Sequence, residues 1–446
     1  MIESVSNPQT EVTGEGFIDI RRRVAERFYK DPSFNVFNAM FEMSVAAEDF
    51  IDDVALNYPD NTLWVGGSLG RGEMLPNSDI DLFVIYDDDE YKPSDIRIDG
   101  VDKFEIGHIS KNRLNDLLQY SFIDANRFID GRNMGHVEAQ DIEKKIIEIN
   151  TPDRQLANNI SEYFYYRYFD FPQKTTDKGP NLKYSTGSTR DTIFFNMISR
   201  MNTGIFPAVR GKTPELPDAI HDAELRFGIK PPIDTVNLLF TVKNIAISVF
   251  DSTKDPRSKY VSHLSLDIIY NHCPQKFQAL GYPTVNEFIL GYKSARNELE
   301  FSVDSLFTKA INSHPAHNEL TTVISADSDK LKTTGLSAVL QDTNEYPQSV
   351  ISLSAWLLLR NGSSSDDMTE LADAMMTQSI DKVWGGLMAV ACSQNTPDST
   401  LNKLADWLFY NEKGAYLLKL ITRNPASSYA TKEKALELYK QKEIIL

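Results

Sequence analysis

The chain has 446 residues, 41% of them hydrophobic and 24% charged, with a net charge of −17. That is a globular composition with room for two or three domains. The acidity argues against a long nucleic-acid partner, whose phosphates select basic surfaces, but leaves open a nucleotide held with metal ions or a tRNA on a local basic patch.

In chain order, the polar, acidic stretch MIESVSNPQTEVTGEG reads as loosely packed and lacks the charged, apolar and small-residue regions of a signal peptide. FIDIRRRVAERFYK and FNVFNAMFEMSVAAEDFIDDVALNY carry apolar residues at three- and four-residue spacing, so two helices are expected. NTLWVGG reads as a strand ending in glycines, and DIDLFVIY as a second strand. IRIDGVDKFEIGHIS fits a hairpin turning at Asp99-Gly100, and KNRLNDLLQYS opens a helix. From about residue 112 onward the pattern is almost wholly helical, with Pro- and Gly-bearing loops such as KTTDKGPNLKYSTGST and a Ser/Asp/Thr-rich stretch near ISADSDKLKTTG. No apolar run approaches the roughly 18 residues of a membrane span, so no membrane partner is expected. Cys273 and Cys392 form neither a disulfide framework nor a zinc pattern, which fits a reducing, cytoplasmic setting. The expected divisions are 1–29 as an N-terminal segment with the first helix, 30–150 as an α+β domain built on a small mixed sheet, 151–310 as a helical domain, and 330–446 as a C-terminal helical bundle.

Chemistry concentrates in GGSLGRGEMLPNSDIDLFVIY, which starts at Gly66. Glycines after a strand let the backbone approach phosphates closely, and amides there with the Ser68 hydroxyl can hold phosphate oxygens. Arg71 can neutralise phosphate charge. Asp79 and Asp81 stand two apart, so period-2 alternation sets both on one strand face, with Ile80 on the other. Two carboxylates so placed repel unless a cation lies between them. Mg²⁺ (or Mn²⁺) binds through one or two carboxylates plus substrate phosphates, which makes the pair a platform for phosphoryl or nucleotidyl transfer. A third carboxylate on a neighbouring strand is expected to steer the attacking hydroxyl: Glu105, alternating with Phe104 and Ile106, is the candidate, with Asp102 as alternative.

These residues resemble the nucleotidyltransferase superfamily typified by DNA polymerase β, and within it the bacterial PII uridylyltransferases and, more distantly, the glutamine synthetase adenylyltransferases. GSLGRGEMLPNSDIDL is similar to their GRGEL…SDIDL block, FEIGHISKNRL to the segment after their hairpin, and GPNLKYSTGSTRDTIFFNMI to their PNLKxGxGGLRD segment. A weaker likeness joins Tyr292, Ala295 and Arg296 to a YYxxAR pattern. The resemblance spans residues 30 to 307 and implies an NTP donor of unknown base, Mg²⁺ at Asp79, Asp81 and Glu105, and triphosphate contacts from Gly67, Ser68 and Arg71. Lys183 and Arg190 are either further triphosphate contacts or, with Asp191, an interdomain clamp. The implied acceptor is a protein hydroxyl; a tRNA end or a small molecule, as in a toxin- or defence-like modifier, is the alternative, as is a nucleotide-sensing module without turnover. Ser188 and Thr189 depart from the family pattern. The sole His-Asp dipeptide, His221-Asp222, lies outside any phosphohydrolase-like segment, so the demodifying and nitrogen-sensing activities are not implied. The Asp87-to-Glu90 run reads as a solvated turn, EYFYYRYFDF as helix core, and His108 as a structural histidine.

Overall fold

The structure, a computed structural model, describes residues 12–87, 98–99, 104–120, 128, 131–135, 140–149, 152–170, 181–183, 187–195, 216–229, 232–250, 262–314, 316, 318, 321–323, 348–360, 363–411 and 414–445. Strand β1 (Val12–Thr13) leads into α1 (Glu15–Lys30) and α2 (Val36–Ala55), then β2 (Thr62–Val65). A single helical turn, α3 (Gly67–Gly70), precedes β3 (Ile80–Tyr86), β4 (Ile98–Asp99) and β5 (Phe104–Ser110). Helix α4 (Lys111–Tyr120) and β6 (Arg132–Asn133) follow.

The architecture is α+β, as expected. The main sheet has the order β5-β3-β2-β6 and is mixed: β3 and β5 run parallel, whereas β2 pairs antiparallel with β3 and β6. Both faces are covered, which is why IDLFVIY reads as a continuous apolar run rather than a strict alternation. Ile80, Leu82 and Val84 join the large core made with α1 and α2. Phe83 and Ile85 join a second core with Trp64, Ile109, Leu114, Leu118, Phe128 and Ile142. Helix α1 buries Phe17, Val24 and Phe28, one stripe at helical spacing. The Asn35 side chain caps α2 by accepting from the Asn38 amide at 2.9 Å.

Two expectations change. The stretch taken as loose contains β1 and the start of α1; only residues 1–11 lie outside the described ones. Ile98–Asp99 does not pair with the following strand: it pairs in parallel with β1, and β5 pairs in parallel with β3. The turn residues 100–103, Asp102 among them, lie outside the described residues. His108 pairs in register with Val84 and packs edge-on to Tyr58 at 6.1 Å, so it belongs to the face opposite the acids.

Beyond β6 the described residues are mostly helical. Pro152–Phe164 continues as a π-helix over Tyr165–Asp170, and its aromatic residues are core: Tyr163 stacks on Phe307 at 4.2 Å, and Phe164 on Trp356 at 5.9 Å. Ile233–Val249 is buried almost all round. Val285–Asn312 starts with a capping box between Thr284 and Glu287. The C-terminal helices share this core, because Gln348–Arg360 lies on Pro152–Phe164 and Asp153 accepts from the Gln348 and Ser349 amides at 2.8 and 3.3 Å. One apolar cluster runs from Phe17 to Ala435. Lys276 places its ammonium on the carbonyls of Phe28, Asp31 and Phe34, tying the α1–α2 corner to the helical half. Among the described residues no helix is long and apolar enough to cross a membrane.

Candidate active site at the mouth of β3

The connection from β2 to β3 folds back on itself. The Gly66 amide donates to the Asp81 carbonyl at 3.0 Å, so the chain stays tied to β3 where it leaves β2. One helical turn follows, and the Glu73 amide returns to the Ser68 carbonyl at 2.7 Å. Gly67 has φ of +62°, in the left-handed region that glycine tolerates without strain. A Cβ there would lie 2.0 Å from Asp81 Oδ2. The glycine therefore does two things: it makes the turn, and it leaves the space that the Asp81 carboxylate occupies.

Asp79 is exposed and Asp81 partly buried. Asp81 shares its face with Phe83 and Ile85, so the carboxylates stand where the apolar packing of the second core gives out. The parallel register pairs Asp81 with Glu105, and paired residues of adjacent strands belong to the same sheet face. The Glu105 side chain is outside the described ones. Among the described residues neither Asp79 nor Asp81 forms an ion pair, and no group of three or more His, Cys, Asp or Glu side chains is gathered. Two unpaired carboxylates on one face, with a third acidic position beside them in register, fit a hard divalent cation with oxygen ligands. Gly107 keeps β5 close: a Cβ there would lie 2.8 Å from the Phe83 ring.

A basic cluster adjoins the Gly67 turn. Glu73 is buried; its Oε2 accepts from Arg71 Nε at 3.0 Å and its Oε1 from Thr192 Oγ1 at 3.2 Å. Lys243, on the Ile233–Val249 helix, completes the group. Burial pushes its ammonium down to about 7; repulsion from Lys183, Arg71 and Arg190 lowers it further, and the Glu73 carboxylate opposes this. Arg71, Lys183, Arg190 and the Glu73 carboxylate thus all lie within electrostatic reach of Lys243, a basic cluster in a chain that is strongly acidic overall. Such a cluster, with Lys243 desolvated within it, suits a polyanion.

The remaining expected residues divide. Ser68 sits in the α3 turn and is half-buried. Lys183 is exposed, while Arg190 donates to the Tyr166 hydroxyl at 2.8 Å and lies over its ring at 5.1 Å. Asp191 is fully buried, pairs with Arg167 at 3.1 Å and accepts from the Gly187 amide at 2.8 Å. Arg167 also reaches Glu300 and Asp304, so Asp191 belongs to a clamp between helical elements, whereas Arg190 and Lys183 face the basic cluster. The departures Ser188 and Thr189 close this loop through the Lys183 and Leu182 carbonyls, at 2.7 and 3.3 Å. Gly187 packs on the backbone of Arg296: a Cβ there would lie 2.1 Å from its carbonyl oxygen.

Sequence reasoning missed Glu73 and Lys243. The signal for Lys243 was present: it is the sole basic residue of the largely buried helix IDTVNLLFTVKNIAISV. Residues 47–157, about a quarter of the chain, match the family model of a nucleotidyltransferase domain. The chain therefore carries a domain of the kind that transfers nucleoside monophosphates. No curated protein matches it.

Proposed function

We propose that the protein transfers a nucleoside monophosphate from an NTP to an acceptor hydroxyl and releases pyrophosphate. The observation that carries this reading is the juxtaposition of Asp81 on β3, Asp79 just before that strand, Glu105 in register with Asp81, and the basic cluster next to Gly67. Asp79, Asp81 and Glu105 would hold Mg²⁺, which when bound supplies charge neutralisation at the triphosphate and acidifies the acceptor hydroxyl. Gly67 and Ser68 offer backbone and hydroxyl contacts to the β- and γ-phosphates. Arg71, Lys183, Arg190 and Lys243 balance their charge, and the Glu73 carboxylate orients Arg71. Glu105 would accept the hydroxyl proton as the oxygen attacks the α-phosphorus and the pyrophosphate leaves from the opposite side. Positioning and charge compensation account for the catalysis.

For the acceptor we propose a protein hydroxyl, on the resemblance of the GSLGRGEMLPNSDIDL block to that of uridylyl- and adenylyltransferases. The test is to incubate the protein with each α-labelled NTP in a lysate and follow label to protein, RNA or small molecules. Transfer should vanish in Asp79→Asn/Asp81→Asn with the melting temperature unchanged. Transfer that survives in that variant overturns the reading, and tight NTP binding without any transfer indicates a nucleotide-sensing module instead.

A further inference from the structure

The helix α1 lies outside the residues matched by the nucleotidyltransferase model, yet it reaches the backbone that delivers Asp79. Leu75 to Ser78 form a tight turn: the Ser78 amide donates to the Leu75 carbonyl at 2.8 Å, and the Leu75 amide to Ser78 Oγ at 2.9 Å. The Arg21 guanidinium closes over this turn, Nε donating to the Pro76 carbonyl and Nη2 to the Ser78 carbonyl at 2.6 Å. The Ser78 carbonyl belongs to the peptide that links Ser78 to Asp79. Fixing that peptide plane fixes the direction in which the Asp79 side chain leaves the backbone.

Arg21 is itself held. Its guanidinium lies 5.7 Å from the Phe17 ring; Phe17 stacks on Phe50 of α2 at 5.3 Å, and Phe50 meets Phe104 of β5 edge-on at 5.5 Å. Phe104 is the neighbour of Glu105. One chain of contacts therefore spans the turn before Asp79 and the strand that carries Glu105. The other side of the turn is tied as well: Asn77 Nδ2 donates to Ser248 Oγ at 3.2 Å, and Tyr29 of α1 donates to the same hydroxyl.

We infer that Arg21 is a positioning residue of the catalytic centre, acting through the Ser78–Asp79 peptide to hold the Asp79 carboxylate for the metal. The inference rests on the reading of Asp79 and Asp81 as metal ligands. A forked guanidinium satisfies two carbonyls in fixed geometry, which a lysine ammonium does not reproduce.

The experiment measures Mn²⁺ binding to the full chain from the spin-resonance signal of the free ion, with the thermal melt recorded beside it. Asp79→Asn should weaken binding tenfold or more, and Arg21→Ala by about tenfold, the loss typical of a partner that orients a metal ligand. Arg21→Lys, which keeps the cation on Phe17, should fall between Arg21→Ala and the wild type and keeps the test valid if Arg21→Ala does not fold. Arg22→Ala, which removes only an exposed pair with Asp19, should leave binding unchanged. Wild-type Mn²⁺ affinity in both Arg21 variants, with Asp79→Asn weakened, overturns the role of Arg21 and leaves the functional reading standing. Wild-type affinity in Asp79→Asn overturns the functional reading itself.

Discussion

Gly67 and Lys243 show what single residues contribute. A Cβ at Gly67 would meet the Asp81 carboxylate on a backbone already at positive φ. Gly67→Ala should therefore displace Asp81 and cut transfer by at least tenfold, at a stability cost of about 1–2 kcal/mol. Kinetics and urea unfolding on one preparation check both. Lys243 makes a contrasting prediction. Its ammonium is desolvated among other cations, so it opposes folding wherever it is charged. Its folded pKa, about 7, lies below the unfolded value, so the unfolded chain binds more protons between pH 7 and the ordinary lysine range, and stability from this group rises with pH across that window. Lys243→Met should raise the melting temperature at pH 7 while weakening NTP binding. In the wild type, NTP affinity should decline as pH rises above about 7, because binding then requires proton uptake; isothermal titration across pH, flat in the variant, is the check.

Among elements, the segment from Gly187 to Phe195 combines a buried ion pair at Asp191 with the apolar packing of Ile193, Phe194 and Phe195. Burial raises the Asp191 carboxyl to about 6, and the Arg167 guanidinium and the Gly187 amide limit the rise. The folded chain thus holds the proton more tightly than the unfolded one, and what this group gives to stability diminishes as pH rises from 4 to 6. Asp191→Ala should cost about 3–5 kcal/mol, since it strands part of a buried guanidinium. Asp191→Asn should cost less, because Arg167 keeps Glu300 and Asp304 and the Gly187 amide keeps an acceptor. Chemical denaturation separates the two. The short strands illustrate what sequence leaves open at this scale. Asp79 and Asp81 were legible because their relation is local: two residues apart on one strand. The partner of β5 was not, since a seven-residue strand fits a hairpin or a parallel pair equally well, and side-chain pattern does not state direction.

At the scale of the whole molecule, the site is assembled from distant stretches. Thr192 and Lys243 meet at Glu73 and its neighbour Arg71, and Arg21 meets Ser78, from segments with no common spacing. No sequence window contains these relations, so the acids and glycines of the strand mouth were legible and the residues that support them were not. The apolar core is equally shared. Trp356 of the C-terminal helices stacks on Phe164 with no exposed surface. Trp356→Ala should cost about 3–5 kcal/mol, and the loss should appear in the same calorimetric transition that unfolds the helical region behind the site, not in a separate one.

Lys276 reaches the corner between α1 and α2 across a sequence separation of 242 residues, counted to Phe34. During synthesis the carbonyls of Phe28, Asp31 and Phe34 emerge first and wait for that ammonium. At ordinary translation speed the interval is on the order of 10–50 s. Through it, the helix that carries Arg21 lacks its anchor at the far end, and water must serve its last turn. The turn before Asp79 thus acquires its final geometry late, so a nascent chain already bearing every acid of the strand mouth is not yet a finished site.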